Sequence, residues 1–147
     1  RLGKPAVTIA PIGMGAACVL FTPDAMSFDD YFGLHTSTDP IHRAQLFLLG
    51  LAPTFQHARY IQDTRRADFK NRKAPSLPIG VYACAAVGAS TLLKIILQRG
   101  PLLAAPWCVH YDSYLMSIKK KYIRWGYRNP LQRLKFFILR KFILRNS

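Results

Sequence analysis

The stretch from Pro78 to Pro101, PIGVYACAAVGASTLLKIILQRGP, constrains this chain more than any other. Pro78 suits a helix entry, where the first N–H has no intrahelical partner to lose. Gly100 offers a left-handed stop, and Pro101 cannot continue a helix. Lys94 and Arg99 lie near the C-terminal end, where the macrodipole favours cations. Ala83, Ala85, Ala86, Gly88, Ala89 and Ser90 fill the first half; Leu92, Leu93, Ile95, Ile96 and Leu97 fill the second. Small residues permit close backbone approach, and the bulky half fills volume. Apolar residues cover nearly the whole circumference, which predicts a helix buried on most sides. A large residue at Ala86 is then expected to overpack. About twenty apolar residues also suit a bilayer span. Lys94, Gln98 and the Gly and Ser interruptions favour the buried helix of a soluble domain.

A chain of 147 residues, 50% hydrophobic and with nine Phe, has enough apolar side chain for one domain with a core. Its charge is lopsided: 21 Lys and Arg face seven acids, every one an Asp, for a net charge of +14. Such a chain is drawn to anions, whether phosphate, nucleic acid, acidic protein or lipid headgroups. Cys18, Cys84 and Cys108 each sit in an apolar run, which predicts buried free thiols in a reducing, cytoplasmic setting. The sequence opens at Arg1 on what reads as a strand already under way, so an N-terminal part is expected to lie elsewhere.

LGKPAVTIAPIGMGAACVLFTP reads as two strands, Ala6–Ala10 and Ala17–Thr22, joined tightly through Gly13-Met14-Gly15. A dinucleotide-binding loop fits poorly there. The third glycine position is Cys18, and strand-like CVLFT follows where a helix is needed. Residues 24–76 read as helices and loops. Ser27 with Asp30 forms a capping box, Asp39 and Pro40 open a helix ending near Gly50, and Pro53 opens a third, TFQHARYIQD. The segment TRRADFKNRKAPSLP is a basic loop or crossing segment. Its Arg65, Arg66, Lys70, Arg72 and Lys73 form a solvated cationic surface, with anion binding as the alternative.

After the central helix, one strand is predicted at Trp107–Tyr111 and another around Leu115–Ile118. Cys108, His110 and Asp112 alternate onto one face of the first. A nucleophilic triad is disfavoured, because residues two apart on a strand stand roughly 6.5–7 Å apart at the backbone. Cys108 and His110 make only two metal ligands, and His35, His42 and His57 complete no standard spacing, so no metal site is predicted. Beyond Asp112 there is no acid and there are ten basic residues. Lys119, Lys120, Lys121, Arg124, Arg128, Arg133 and Lys135 extend the candidate anion or partner surface. Asn129 and Pro130 start a final helix, LQRLKFFILRKFILR, with Leu131, Leu134, Ile138 and Phe142 at helical spacing. Such a helix either docks on its own domain with its charges outward or meets a membrane surface or acidic partner.

The order of these pieces resembles the C-terminal half of the ThiF/MoeB/HesA family, adenylyltransferases related to ubiquitin-activating enzymes. The stretches that carry the resemblance are GKPAVTIAPIGMGAACVLFTP, GVYACAAVGASTLLKIILQRGPLL and WCVHYDSYLMS. Within them lie Gly13-Met14, the helix through Leu93-Lys94 to Gly100, and the strand ending Tyr111-Asp112. The run Asn129-Pro130-Leu131-Gln132-Arg133-Leu134 is similar to a bacterial subgroup of ThiF-like proteins. The resemblance implies ATP- and Mg²⁺-dependent activation of a C-terminal carboxylate as an acyl-adenylate. The family's Gly-rich nucleotide loop, its Arg and Lys partners and its metal-binding Asp all precede the matched region. This chain also lacks the CxxC pairs of many relatives, and no cysteine lies within residues 23–78, where thioester-forming relatives carry one.

The fold class expected is therefore α/β. It is the C-terminal half of a Rossmann-like, ThiF-type domain, with a mixed sheet packed by a long central helix, inserted helices and a basic C-terminal helix. Residues 1–118 form that part, with 27–76 as a helical crossing segment, and 119–147 form a basic extension. The function expected is the substrate-side portion of an adenylyltransferase, inactive alone, with ATP and Mg supplied in a longer protein. Its partners would be a ubiquitin-like or small carboxylate substrate, with a homodimer and an anionic membrane surface as further expectations. Nucleic acid is disfavoured for want of a reading motif. The alternative is a non-catalytic binding module that uses its basic amphipathic tail on a membrane surface or acidic partner.

Overall fold

Two glycines frame the turn from which the sheet grows. The computed structural model describes residues 3–60 and 77–144. Strands β1 (Ala6–Ile12) and β2 (Gly15–Phe21) pair antiparallel, with Ile12 opposite Gly15. The loop between them is only Gly13-Met14, and Gly13 has φ 61°, the positive φ that tight hairpin turns require. Both strands reach further toward the turn than the sequence predicts. Gly15 pairs with both Ile12 and Asp112, and a Cβ there would collide with the Tyr111 carbonyl of the neighbouring strand.

Strand β3 (Trp107–Asp112) lies against β2, and β4 (Ser117–Tyr122) against β3. The order is β1-β2-β3-β4, and every strand pairing among the described residues is antiparallel. The chain is thus α/β with a four-stranded antiparallel sheet, not the mixed sheet expected. Connection length dictates two of the three pairings: loops of two and four residues can join only antiparallel neighbours. An isolated parallel bridge from Leu20 to Ala104 does not extend into a ladder.

The strand expected around Leu115–Ile118 begins at Ser117 and runs on through Lys119, Lys120 and Lys121. Residues 113–116 turn instead, with Met116 at φ 47°. A lysine run reads as polar loop in sequence, yet lysine is a usual edge-strand residue, because it discourages further strand pairing. The boundary expected at 118/119 consequently falls inside β4. Ile123, just beyond it, is a core residue at 3% exposure.

Every residue of β2 is buried, since both faces of the strand are covered. On one face Ala17, Val19 and Phe21 pack with Cys108, Ile123 and the helical residues Tyr31, Phe32 and Leu51. Helix α1 (Phe28–Phe32) starts as its capping box predicts: the Asp30 N–H donates to Ser27 Oγ at 3.1 Å, and the Ser27 hydroxyl donates back to the Asp30 carboxylate at 2.6 Å. Helix α2 (Pro40–Leu51) is capped by Asp39, which accepts from the N–H groups of Ile41 and His42. The Tyr31 hydroxyl donates to the Gly50 carbonyl at 3.0 Å and ties the two helices together.

The third helix expected from Pro53 is instead a 3₁₀ turn, Gln56–Arg59, entered through Phe55 at φ 46°. Gln56 explains the difference. Its side chain is buried and donates to the His110 carbonyl at 3.2 Å, so the segment is pinned to the sheet. The rest of that predicted helix and the cationic set Arg65, Arg66, Lys70, Arg72 and Lys73 lie outside the described residues.

Helix α3 (Pro78–Leu97) crosses β1 and β2 on the face opposite α1 and α2, and leaves through Gln98 and Gly100 at positive φ. Gly80 sits on the hairpin, where an added Cβ would stand 2.7 Å from the Gly13 carbonyl oxygen. The prediction of burial on most sides is not met. Gly80 and Cys84 are the helix's buried residues, while Tyr82 is 76% and Ile96 73% exposed. A sheet covers only one side of a helix. Among the described residues no second layer lies over the outer side of α3. Helix α4 (Pro130–Leu144) is capped by Asn129, which accepts from the Leu131 N–H at 3.0 Å, and it packs beside α2.

Candidate functional site

Tyr60, Asp112 and Ser113 gather at the Gly13-Met14 turn. The Met14 N–H donates to the Tyr60 hydroxyl at 2.9 Å, and that hydroxyl donates to Asp112 Oδ2 at 2.7 Å. The other Asp112 oxygen accepts from the Leu115 N–H at 3.0 Å, which fixes the β3–β4 turn. Ser113 closes the ring: both its N–H and its hydroxyl donate to the Met14 carbonyl. Asp112, fully buried, is thereby engaged through both oxygens. Burial pushes the Tyr60 hydroxyl up to about 12, with the hydrogen bond to Asp112 adding and the Met14 N–H opposing.

Deeper in the same layer the His57 and His110 rings stand 5.9 Å apart. His110 Nδ1 lies 3.4 Å from Thr54 Oγ1, while His110 Nε2 and His57 Nδ1 are buried without a hydrogen-bond partner. Burial holds His57 down to about 4, with His110 adding and Asp112 opposing. His110 is lowered as well, chiefly by burial. Both imidazoles are therefore neutral at pH 7.

Cys108, His110 and Asp112 do share one face of β3, as their alternation predicts, and all three are buried. They do not form a nucleophilic set. The Cys108 thiol donates to the Leu51 carbonyl at 3.2 Å, and burial pushes it up to about 12. All three cysteines are free and buried. Among the described residues no group of three or more His, Cys, Asp or Glu is placed to hold a metal ion.

The described cations divide among several places. Lys119 and Lys121 point from β4 to the His110 face of the sheet, opposite His110 and Cys108 in register. Lys120 points to the other face and lines a cleft beside α3. Arg124 stacks on Trp125 and Arg128 on Tyr127. Lys135 donates to the Pro53 carbonyl at 2.6 Å, and its charge is disfavoured by burial and then by nearby Lys121. Arg128 and Arg133 together line a cleft between α2 and α4. The described members of the predicted set are thus spread over several places, with Arg128 and Arg133 brought to one cleft. The sequence reading missed Tyr60, Gln56 and Gln132. Buried Gln in aromatic surroundings is the one local signal that marks two of them.

Among the described residues, those at the Gly13-Met14 turn do not fit a nucleotide phosphate or its Mg²⁺. A phosphate-binding loop needs free backbone N–H groups, and the Met14 N–H is already donated to Tyr60. Asp112, the carboxylate nearest the turn, is enclosed. No protein-family model, curated protein or solved structure matches the chain.

Proposed function

We propose that this chain is the substrate-side part of a ThiF-like, ATP-dependent adenylyltransferase that activates a carboxylate as an acyl-adenylate. In that reaction a carboxylate oxygen attacks the α-phosphorus of ATP and pyrophosphate leaves. The observation that supports this reading is that the three stretches carrying the resemblance meet at one turn. The Leu77 N–H, at the entry to α3, donates to the Gly13 carbonyl at 3.1 Å, and Gly80 rests on the Gly13 and Gly15 carbonyls. Ser113, next after Tyr111-Asp112, donates to the Met14 carbonyl. On this reading the domain is the second half of a Rossmann-like fold, and β1, uncharged from Ala6 to Ile12, stands at the edge of the described sheet. The phosphate cradle comes from outside residues 1–147. The test is calorimetric titration of Mg·ATP into this chain at about 150 mM salt, where exposed charges are screened over about 8 Å. Only weak, salt-dependent association is expected. Saturable binding indifferent to salt would place a nucleotide site on this chain and overturn the division of labour.

A second reading has its own observation. The outer side of α3 presents Val81, Tyr82, Leu92, Leu93 and Ile96 to solvent without a charged residue among them. This helix is 20 residues long, and among its residues only Gly80 and Cys84 are buried. Lys94 and Lys120 line the cleft between α3 and the sheet, on the flank that Tyr82 shares. A second copy at +14 would repel the first, whereas anionic lipid complements both the apolar and the cationic parts. Because Gly80 and Cys84 are held on the sheet, α3 would lie in the membrane interface without spanning it. Flotation with phosphatidylserine vesicles, lost in Leu93→Asp, supports this binding-module reading; recovery of the protein free of vesicles at physiological salt removes it. Under the adenylyltransferase reading the same side of α3 is an interface with the nucleotide-binding half.

A further inference from the structure

Gln132 is a polar residue where the α2–α4 seam calls for an apolar one. It is 8% exposed, and its Oε1 has no hydrogen-bond partner among the described residues. One turn further along α4, Phe136 stacks on the His42 ring, centroids 4.8 Å apart, so a leucine at 132 would suit the same seam. Buried side-chain oxygens are rarely left unpaired, and such an atom in a native fold asks for a bonding partner. Gln132 lines a cleft of about 550 Å³ between α2 and α4, within the size range of small-ligand sites. The walls are apolar: Phe32, Leu46, Leu49, Ile123 and Phe137. Arg128 and Arg133 also line it, and among the described residues no carboxylate does. Asp30 borders a neighbouring hollow that Arg128 also lines, and its charge acts on Arg128 from there.

From these features we infer that the α2–α4 cleft binds a monocarboxylate with an apolar body. The body lies against the aromatic and leucine walls, and the charged head meets the guanidinium groups of Arg128 and Arg133. The Gln132 carboxamide serves the head with either end, since rotating the amide exchanges its oxygen for an N–H₂ donor. Arginine suits this role because its planar donors match a carboxylate's two oxygens. The site is separate from the Met14–Tyr60–Asp112 ring and does not depend on the adenylation reading.

The test is calorimetric titration of decanoate, below its micelle concentration and at about 150 mM salt, into the full chain. Decanol and acetate serve as comparison ligands. One saturable site per chain is expected, with decanoate bound at least about tenfold more tightly than either comparison ligand, a factor typical of one charge-assisted contact. Arg133→Gln, an exposed change that leaves the fold intact, should weaken decanoate about tenfold, and Gln132→Leu should weaken it in a protein of unchanged circular dichroism. Lys94→Gln, remote from the cleft, should leave binding as it was. Several weak sites, or equal losses in Arg133→Gln and Lys94→Gln, would show general attraction to a +14 surface and overturn the assignment. Decanol binding as tightly as decanoate would overturn it too.

Discussion

Tyr60 donates to Asp112 across 52 residues of chain, at 2.7 Å, while accepting from the Met14 N–H. One hydroxyl thus joins three segments: the β1–β2 turn, the 3₁₀ segment and the end of β3. The Gly13 position is shaped by the same group, because a Cβ there would run into the Tyr60 hydroxyl. Tyr60→Phe removes two hydrogen bonds and leaves one oxygen of a buried carboxylate unpaired. Leaving a buried polar group unsatisfied costs about 1–3 kcal/mol. Denaturant unfolding should show a loss of that order with an unchanged m-value. An unaffected midpoint would mean that the ring does not hold the turn.

The histidine pair gives the fold an acid sensitivity. His57 falls from 6.5 in the open chain to about 4 in the fold, and His110 is lowered too. A depressed base is protonated more readily when unfolded, so its contribution is complete above about pH 6.5 and is lost as pH falls toward 4. Stability should therefore decline between those values. His57→Gln should flatten that slope. A wild-type midpoint constant from pH 7 to 4.5 would contradict the neutral, buried pair.

Gly80 and Ala86 separate the inner side of α3 from its outer side. A Cβ at Gly80 would stand 2.7 Å from the Gly13 carbonyl and 3.1 Å from that of Gly15, so backbone must move. Gly80→Ala should cost about 1–3 kcal/mol, as overpacking does, despite alanine's better helix propensity. Ala86 faces outward, and Ala86→Leu should be neutral, contrary to the sequence expectation. Thermal melts of the two variants decide this directly: equal destabilisation would mean that the outer side is covered.

Local chemistry made much of this fold legible in the sequence. The Ser27–Asp30 box, the Asp39–Pro40 start and the Asn129 cap each depend on a few adjacent residues, and each helix begins where they place it. The alternation that puts Cys108, His110 and Asp112 on one buried face was equally readable. Burial of α3 was not, because an apolar circumference records what a helix can bury and not how many layers surround it. Phe55 at positive φ and the lysine-rich β4 defeated propensity for a related reason: the sheet, not the local sequence, decides both. The Tyr60–Asp112 bond had no sequence signal at all, since nothing local links residues so far apart. The candidate cations were easy to count, but the pairing of Arg128 with Arg133 at one cleft needed the arrangement of α2 and α4.

ATP–pyrophosphate exchange tests the adenylyltransferase account most directly. The polypeptide to assay joins this chain, through β1, to an upstream Gly-rich strand–loop–helix segment, in the presence of Mg²⁺ and an acceptor carboxylate. The account predicts label exchange between pyrophosphate and ATP that requires the upstream segment, the metal and the acceptor together. It predicts none from residues 1–147 alone. A joined protein that is folded, by circular dichroism and a cooperative melt, yet shows no exchange and no Mg·ATP binding would contradict it.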